Sequence, residues 1–237
     1  MDRGLVLSRE RAQALVLAGK VLVNGQKIEK SGAPVASDCE IRLLGEDLKY
    51  VSRAGLKLEH ALEHWQIKVT SKICLDVGAS TGGFSDCLLQ NGATHVIAID
   101  TGYGQIALQL RQDPRVRLLE KTNARYLTRE RLGETVDFIA VDVSFISATL
   151  VLPPVITAAF PAEKTGRELV VLIKPQFEAG REQVGKGGIV RDPAAHEQAI
   201  NRVRGAVLAL NAKSTDVIDS PILGAEGNKE FLLYAVF

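Results

Sequence analysis

Short apolar runs alternate with stretches of helical period from residue 72 to the end of the chain. KICLDV (72–77), HVIAID (95–100), VRLLEK (116–121), VDFIAVDV (136–143), ELVVLIK (168–174), STDVIDS (214–220) and EFLLYAVF (230–237) have the length and β-branched content of strands. Helical stretches lie between them, near 83–91, 105–112, 147–160 and 193–210. Seven strands with interleaved helices predict a doubly wound, largely parallel α/β sheet. The short polar connector GAEGNK lets the last two strands pair antiparallel.

The first 45 residues follow a different rhythm. SRERAQALVLAG (8–19) reads as a helix capped by Ser8 and stopped by Gly19, with apolar residues at 12, 15 and 16. KVLVNGQKIEK (20–30) reads as a hairpin around Asn24-Gly25, and CEIRLL (39–44) as a third strand. The polar stretch GEDLKY (45–50) follows, then a helix over SRAGLKLEHALEHW (52–65) with Leu58, Ala61, Leu62 and Trp65 on one face. The expected organisation is a small α+β domain over 1–45, a linker over 46–53 and an α/β domain over 54–237.

Composition narrows the class. Hydrophobic residues make up 46% of the 237 and charged residues 24%, the balance of a globular protein. No apolar run reaches the roughly 18 residues of a membrane span, and Met1-Asp2-Arg3 opens no signal peptide. Cys39, Cys74 and Cys87 are an odd count without metal-ligand spacing, which points to reduced thiols in a cytoplasmic protein and to no metal site. The net charge of +1 announces no nucleic-acid partner by itself, although residues 1–57 carry ten Lys/Arg against seven Asp/Glu.

Chemistry concentrates at strand ends. DVGASTGGF (76–84) joins the first strand of the large domain to a helix, and Gly78, Gly82 and Gly83 let backbone approach a ligand. Asp100 ends the next strand, where an acid can bind ribose hydroxyls. Together these residues describe a nucleoside-containing cofactor. Ser80 stands where the dinucleotide fingerprint needs glycine, which weakens NAD and suits S-adenosylmethionine; Asp76 is then placed to hold a loop amide or the cofactor's ammonium group. GREQVGKGG (180–188) mimics a P-loop, but Gly187 replaces the magnesium-binding Ser or Thr, so it is expected to be a mobile loop offering Arg181 and Lys186 to phosphates.

Lys174 terminates an apolar run, where an ammonium group must find water, a carboxylate or a lowered pKa. Asp142 ends the preceding strand and is its natural neighbour. Lys57, between Leu56 and Leu58, and Glu230, at the start of the last strand, are further candidates. Phe84 and Phe145 lie near the same rim, where either can stack on adenine or on an extruded nucleotide, with core packing the expected role for each. Cys74 and Cys87 fall inside a strand and a helix, away from a nucleophile's position.

SRAGLKL, DVGASTGGF, VDVSFIS, LIKPQFE and GNKEFLLY, in this order, resemble the TlyA family of ribosomal-RNA methyltransferases, relatives of the FtsJ ribose methyltransferases. SRERAQALVLAGKVLVNGQ resembles the S4-like RNA-binding module that this family carries. Relatives usually begin with an arginine-containing helical segment ahead of DRGL, so the module is expected to lack its first helical segment. The resemblance implies a Rossmann-like seven-stranded methyltransferase domain using S-adenosylmethionine. It implies a Lys-Asp-Lys-Glu tetrad of Lys57, Asp142, Lys174 and Glu230, and methylation of a cytidine 2′-hydroxyl in ribosomal RNA or ribosomal subunits. Lys174 is the expected proton acceptor, Lys57 the oxyanion stabiliser, and the carboxylates positioners. Cofactor contacts are expected from Asp76, Gly78, Ser80, Gly82, Gly83, Phe84 and Asp100, and RNA contacts from Arg9, Arg11, Gln13, Arg53, Arg181 and Lys186. The rivals are an NAD-dependent oxidoreductase, a haemolysin-like membrane-active protein and a non-catalytic ribosome-assembly factor.

Overall fold

Asn24 and Gly25 both take positive φ, 48° and 78°, the combination that matches a two-residue turn to the twist of a hairpin. The turn sits in a computed structural model that describes residues 3, 5–6, 9–44, 49–160 and 166–237, with the backbone alone at Glu10, Arg11, Arg181 and Ala225. Ser8, the connector stretch 45–48 and the side chains of Arg11 and Arg181 lie outside the described residues. The chain divides into two units, Met1–Leu48 and Lys49–Phe237.

In the first unit, helix α1 (Arg9–Leu17) precedes strands β1 (Val21–Val23), β2 (Gln26–Ile28) and β3 (Ile41–Leu43). β1 is central and antiparallel to both neighbours, with Val21 opposite Ile28 and Leu43. Val6, Leu15 and Val21 form a small buried core, with Ala12, Val16, Val23, Ile41 and Leu43 against it.

The second unit opens with α2 (Ala54–His64), then runs β4 (Ile73–Val77), α3 (Gly83–Gln90), β5 (His95–Ile99), α4 (Leu108–Arg111), β6 (Val116–Leu119), α5 (Arg129–Leu132) and β7 (Phe138–Val141). It continues through α6 (Leu152–Ala159), β8 (Glu168–Ile173), α7 (Pro175–Glu178), α8 (Pro193–Ala209), β9 (Ser214–Asp219) and β10 (Phe231–Val236). The seven strands lie in the order β6-β5-β4-β7-β8-β10-β9, parallel except that β10 runs antiparallel to both β8 and β9. The central strands are apolar on both faces because a helical layer covers each: one buried cluster holds Leu75, Ile97, Ile139 and Leu169, the other Cys74, Val96, Phe138 and Val170. Chain order reverses between β4 and β7, and ligands bind such sheets at the strand ends beside that point.

Two helices are shorter than the pattern predicts. The stretch 105–112 contributes only α4, after a turn through Gly104 at φ 71°. The stretch 147–160 splits into a 3₁₀ turn, Ala148–Leu150, and α6, because Pro153 and Pro154 lack N–H groups and fit only a helix's first turn. Pro175 begins a helix in the same way, although 175–179 reads as loop in the sequence.

Candidate active site

The glycine turn is built to let β4 meet α3 at close quarters. Gly78 adopts φ +89°, and a Cβ there would collide with the carbonyl oxygen of Asp142 on the next strand's end. A Cβ on Gly83 would strike the Ser52 hydroxyl and come within 3.0 Å of the Gly55 amide, so this glycine lets α2 and α3 touch. Gly82, at φ +96°, packs against Ile106 and Leu110.

Above the turn lies a cavity of about 530 Å³, lined by residues including Gly78, Ser80, Asp100, Gln105, Asn123 and Asp142. That is within the usual range for a bound small molecule, roughly 300–1,000 Å³. Asp100 accepts from the Ser80 amide (2.7 Å) and the Gly102 amide (2.6 Å), each bond using one oxygen. A carboxylate has about four lone-pair sites, so Asp100 keeps acceptor capacity toward ribose hydroxyls. A smaller space of about 210 Å³ adjoins Gly83, Phe84, Asp142, Ser144 and Lys174. The volume, the glycine floor and the free capacity of Asp100 fit a nucleoside-bearing cofactor.

Asp76 is placed differently. It is fully buried, and one carboxylate oxygen accepts from both the amide (2.9 Å) and the hydroxyl (2.7 Å) of Ser85 in the first turn of α3. Burial pushes its carboxyl up, the Ser85 bonds pull it down and the charges of Asp142 and Asp100 push it up, leaving it at about 7. Asp76 and Gly82 line neither space, while Gly83 and Phe84 line the smaller one.

Along the same rim two ion pairs form. Lys174 Nζ lies 2.6 Å from Asp142 and donates to the Ser144 hydroxyl at 2.7 Å. Lys57, on the buried face of α2, lies 2.5 Å from Glu230, and both side chains are almost entirely enclosed. Phe231 opposes Ile173 at the end of the β10–β8 ladder, so Glu230, just before β10, and Lys174, just after β8, leave the sheet at the same edge. Gly224 makes room for Glu230, since a Cβ there would meet the carboxylate. Two ion pairs thus stand at the ends of β7, β8 and β10, one of them reaching α2.

Phe84 is core, with 2% exposure, but Phe145 is 92% exposed, at φ +64°, with its ring 5.4 Å from Phe177. Core packing fails for Phe145 because the turn after β7 points it outward over the cavity that it helps line. Cys74 and Cys87 are fully buried, and burial pushes both thiols up to about 12, which removes them as nucleophiles. Arg9, Gln13, Arg53 and Lys186 are exposed. The loop that holds Arg181 and Lys186 is tied down: buried Asn228 accepts from the Val190 amide (3.0 Å) and donates to the Gly188 carbonyl (2.9 Å). Gln105, Asn123 and Ser144 are site residues that the sequence reading misses. Ser144 had a detectable signal, since it stands two positions beyond Asp142 at a strand end.

Among the described residues no cluster of His, Cys, Asp and Glu suits a metal ion, and no helix is long and apolar enough to cross a membrane. The family described as FtsJ-like methyltransferase matches residues 50–237, and the S4 domain family matches residues 2–40. The chain is 45% identical to YqxC of Bacillus subtilis, over 99% of this chain and 82% of that protein. It is 43% identical to the Mycobacterium tuberculosis 16S/23S rRNA (cytidine-2′-O)-methyltransferase TlyA, over 98% and 85% of the two chains. A solved structure from Streptococcus thermophilus, whose name carries the word hemolysin, superposes with a TM-score of 0.76 at 43% identity, covering 99% of this chain and 85% of that one.

Proposed function

The chain belongs to the TlyA group of the FtsJ-like methyltransferase family, and we propose that it methylates the 2′-hydroxyl of a cytidine in ribosomal RNA, using S-adenosylmethionine. The observation that supports this reading is that the Lys174–Asp142 and Lys57–Glu230 ion pairs both form at the strand-end edge that also carries the glycine turn. Family membership displaces the nicotinamide alternative.

S-adenosylmethionine, when bound, supplies an activated methyl group. Gly78, Ser80, Asp100, Gln105 and Asn123 would hold it. A ribose hydroxyl is too weak an acid to ionise at neutral pH, so a positioned base must take its proton as the new bond forms. Lys174 is that acceptor in its neutral amine form, which desolvation and the nearby Lys57 cation favour, and Asp142 and Ser144 aim it. Lys57 stabilises the developing alkoxide, and Glu230 fixes Lys57 while holding the group near neutrality. Alignment supplies much of the acceleration.

The exposed ring of Phe145 offers a stacking face to a base turned out of its helix. Arg9, Arg11, Gln13, Arg53, Arg181 and Lys186 supply the phosphate and sugar contacts that orient the RNA. Ribosomal subunits are the partners and the cytoplasm the place of action.

The test is incubation with labelled S-adenosylmethionine and unmodified ribosomal subunits, followed by mapping of the label. Label on a cytidine 2′-oxygen is expected. Label on a base, or none in RNA, overturns the reading.

A further inference from the structure

Glu178 is 3% exposed and lies four residues beyond Lys174, at the end of α7. Its carboxylate is spent on a single segment. Oε1 accepts from the Ala148 amide at 2.6 Å and Oε2 from the Ser147 hydroxyl at 2.5 Å, while its own carbonyl accepts from Arg202 at 2.6 Å. Burial pushes the carboxyl up and these donors pull it back, as expected of a desolvated acid kept by its hydrogen bonds.

Ser147 and Ala148 end the turn that begins at Asp142, whose amide is anchored on the Val77 carbonyl at 2.9 Å. Between those anchors stand Ser144, bonded to Lys174, and Phe145, held at positive φ with its ring bared to solvent. An aromatic residue in that conformation costs about 1–3 kcal/mol and persists only when its surroundings enforce it. The enforcement comes from α7: Phe177 lies against Phe145, and Glu178 grips the turn's far end.

We propose that Glu178 is a positioning residue for methyl transfer, acting through Ser147 and Ala148 to hold the Ser144 hydroxyl on Lys174 and the Phe145 ring over the cavity. This inference rests on the ribose-methylation reading. Glu178 aims the groups that touch substrate, and Lys174 carries out the proton transfer.

The experiment measures kcat on ribosomal subunits, calorimetric affinity for S-adenosylmethionine and melting temperature for Glu178→Ala, Glu178→Gln, Ser147→Ala, Ser144→Ala and the Glu178→Ala/Ser144→Ala pair. Misplacement of about 1 Å costs on the order of a hundredfold in rate, so Glu178→Ala is expected to lose about tenfold to a hundredfold in kcat with cofactor affinity unchanged. Glutamine can accept from the Ala148 amide and donate to the Ser147 oxygen, so Glu178→Gln should recover most of that loss. The double variant should be no slower than the worse single, because both changes release the same turn.

Ser147→Ala removes one of the grip's two bonds and decides the matter if Glu178→Ala does not fold: a fall in kcat with cofactor affinity kept supports the proposal, and a native kcat overturns it. Wild-type kcat in Glu178→Ala, losses that multiply in the double variant, or a glutamine variant as slow as alanine at native melting temperature would also overturn the proposal. Absence of ribose methylation by the unmodified protein would instead remove the reading beneath it.

Discussion

The two halves of the sheet's carboxyl rim are built by opposite means. On the β4–β5 side the site is mostly backbone: a glycine turn, loop amides, and one carboxylate already engaged with two of them. On the β7–β8–β10 side it is side chains, two enclosed ion pairs drawn from four elements. A backbone-built site is insensitive to most side-chain changes and fails where an added Cβ collides. A site of paired charges fails when one partner is removed, because the other is left buried and uncompensated.

Four substitutions sharpen or break this contrast. The largest effect is expected from Lys174→Ala: loss of a general base costs about 10²–10⁴-fold in rate, while calorimetry should show unchanged affinity for S-adenosylmethionine. Near-native methylation would erase the division between the halves. Next, Lys57→Ala strands Glu230, whose side chain is 2% exposed, and should destabilise the fold by about 3–5 kcal/mol in chemical denaturation. Replacing both residues by leucine should restore stability without restoring activity. Third, Gly78→Ala should weaken cofactor binding through strain of about 1–3 kcal/mol, with the charged half intact. Native affinity in that variant would mean that the turn tolerates a side chain.

The last effect, read per unit of pH, concerns Asp76. Its carboxyl in the folded protein, at about 7, lies above its ordinary 3.8, so the stability it contributes is full at low pH and is lost as pH rises toward 7. Asp76→Asn should flatten that decline, worth about 1.4 kcal/mol per pH unit at most, in melts recorded between pH 4 and 7. An unchanged slope would show that Asp76 does not titrate in that window.

The same contrast governs what the sequence discloses. The backbone half is contiguous: DVGASTGGF and Asp100 lie within 25 residues, and the fold brings Gly78, Ser80 and Asp100 to one cavity. Asp142 and Lys174 were also legible, because each charge ends an apolar run and neighbouring strands of a doubly wound sheet share a rim. Lys57 and Glu230 were not legible from spacing. They lie 173 residues apart, and their meeting depends on β10 entering between β8 and β9, a step that no local pattern encodes; the family resemblance alone proposed them. Phe145 misled for a related reason. A phenylalanine beside a core strand reads as core, and only the turn's left-handed backbone sends it outward. Helix ends were misjudged where Pro153 and Pro175 start a helix that periodicity places elsewhere.

The position of β10 also sets what each half must close. The glycine turn joins neighbours in the chain and closes a short loop, whereas the Lys57–Glu230 pair closes one spanning most of the domain, at a higher entropic cost. Of the two halves, the one that holds charge therefore depends on closure of the whole domain, and the one made of backbone depends on neighbours in the chain.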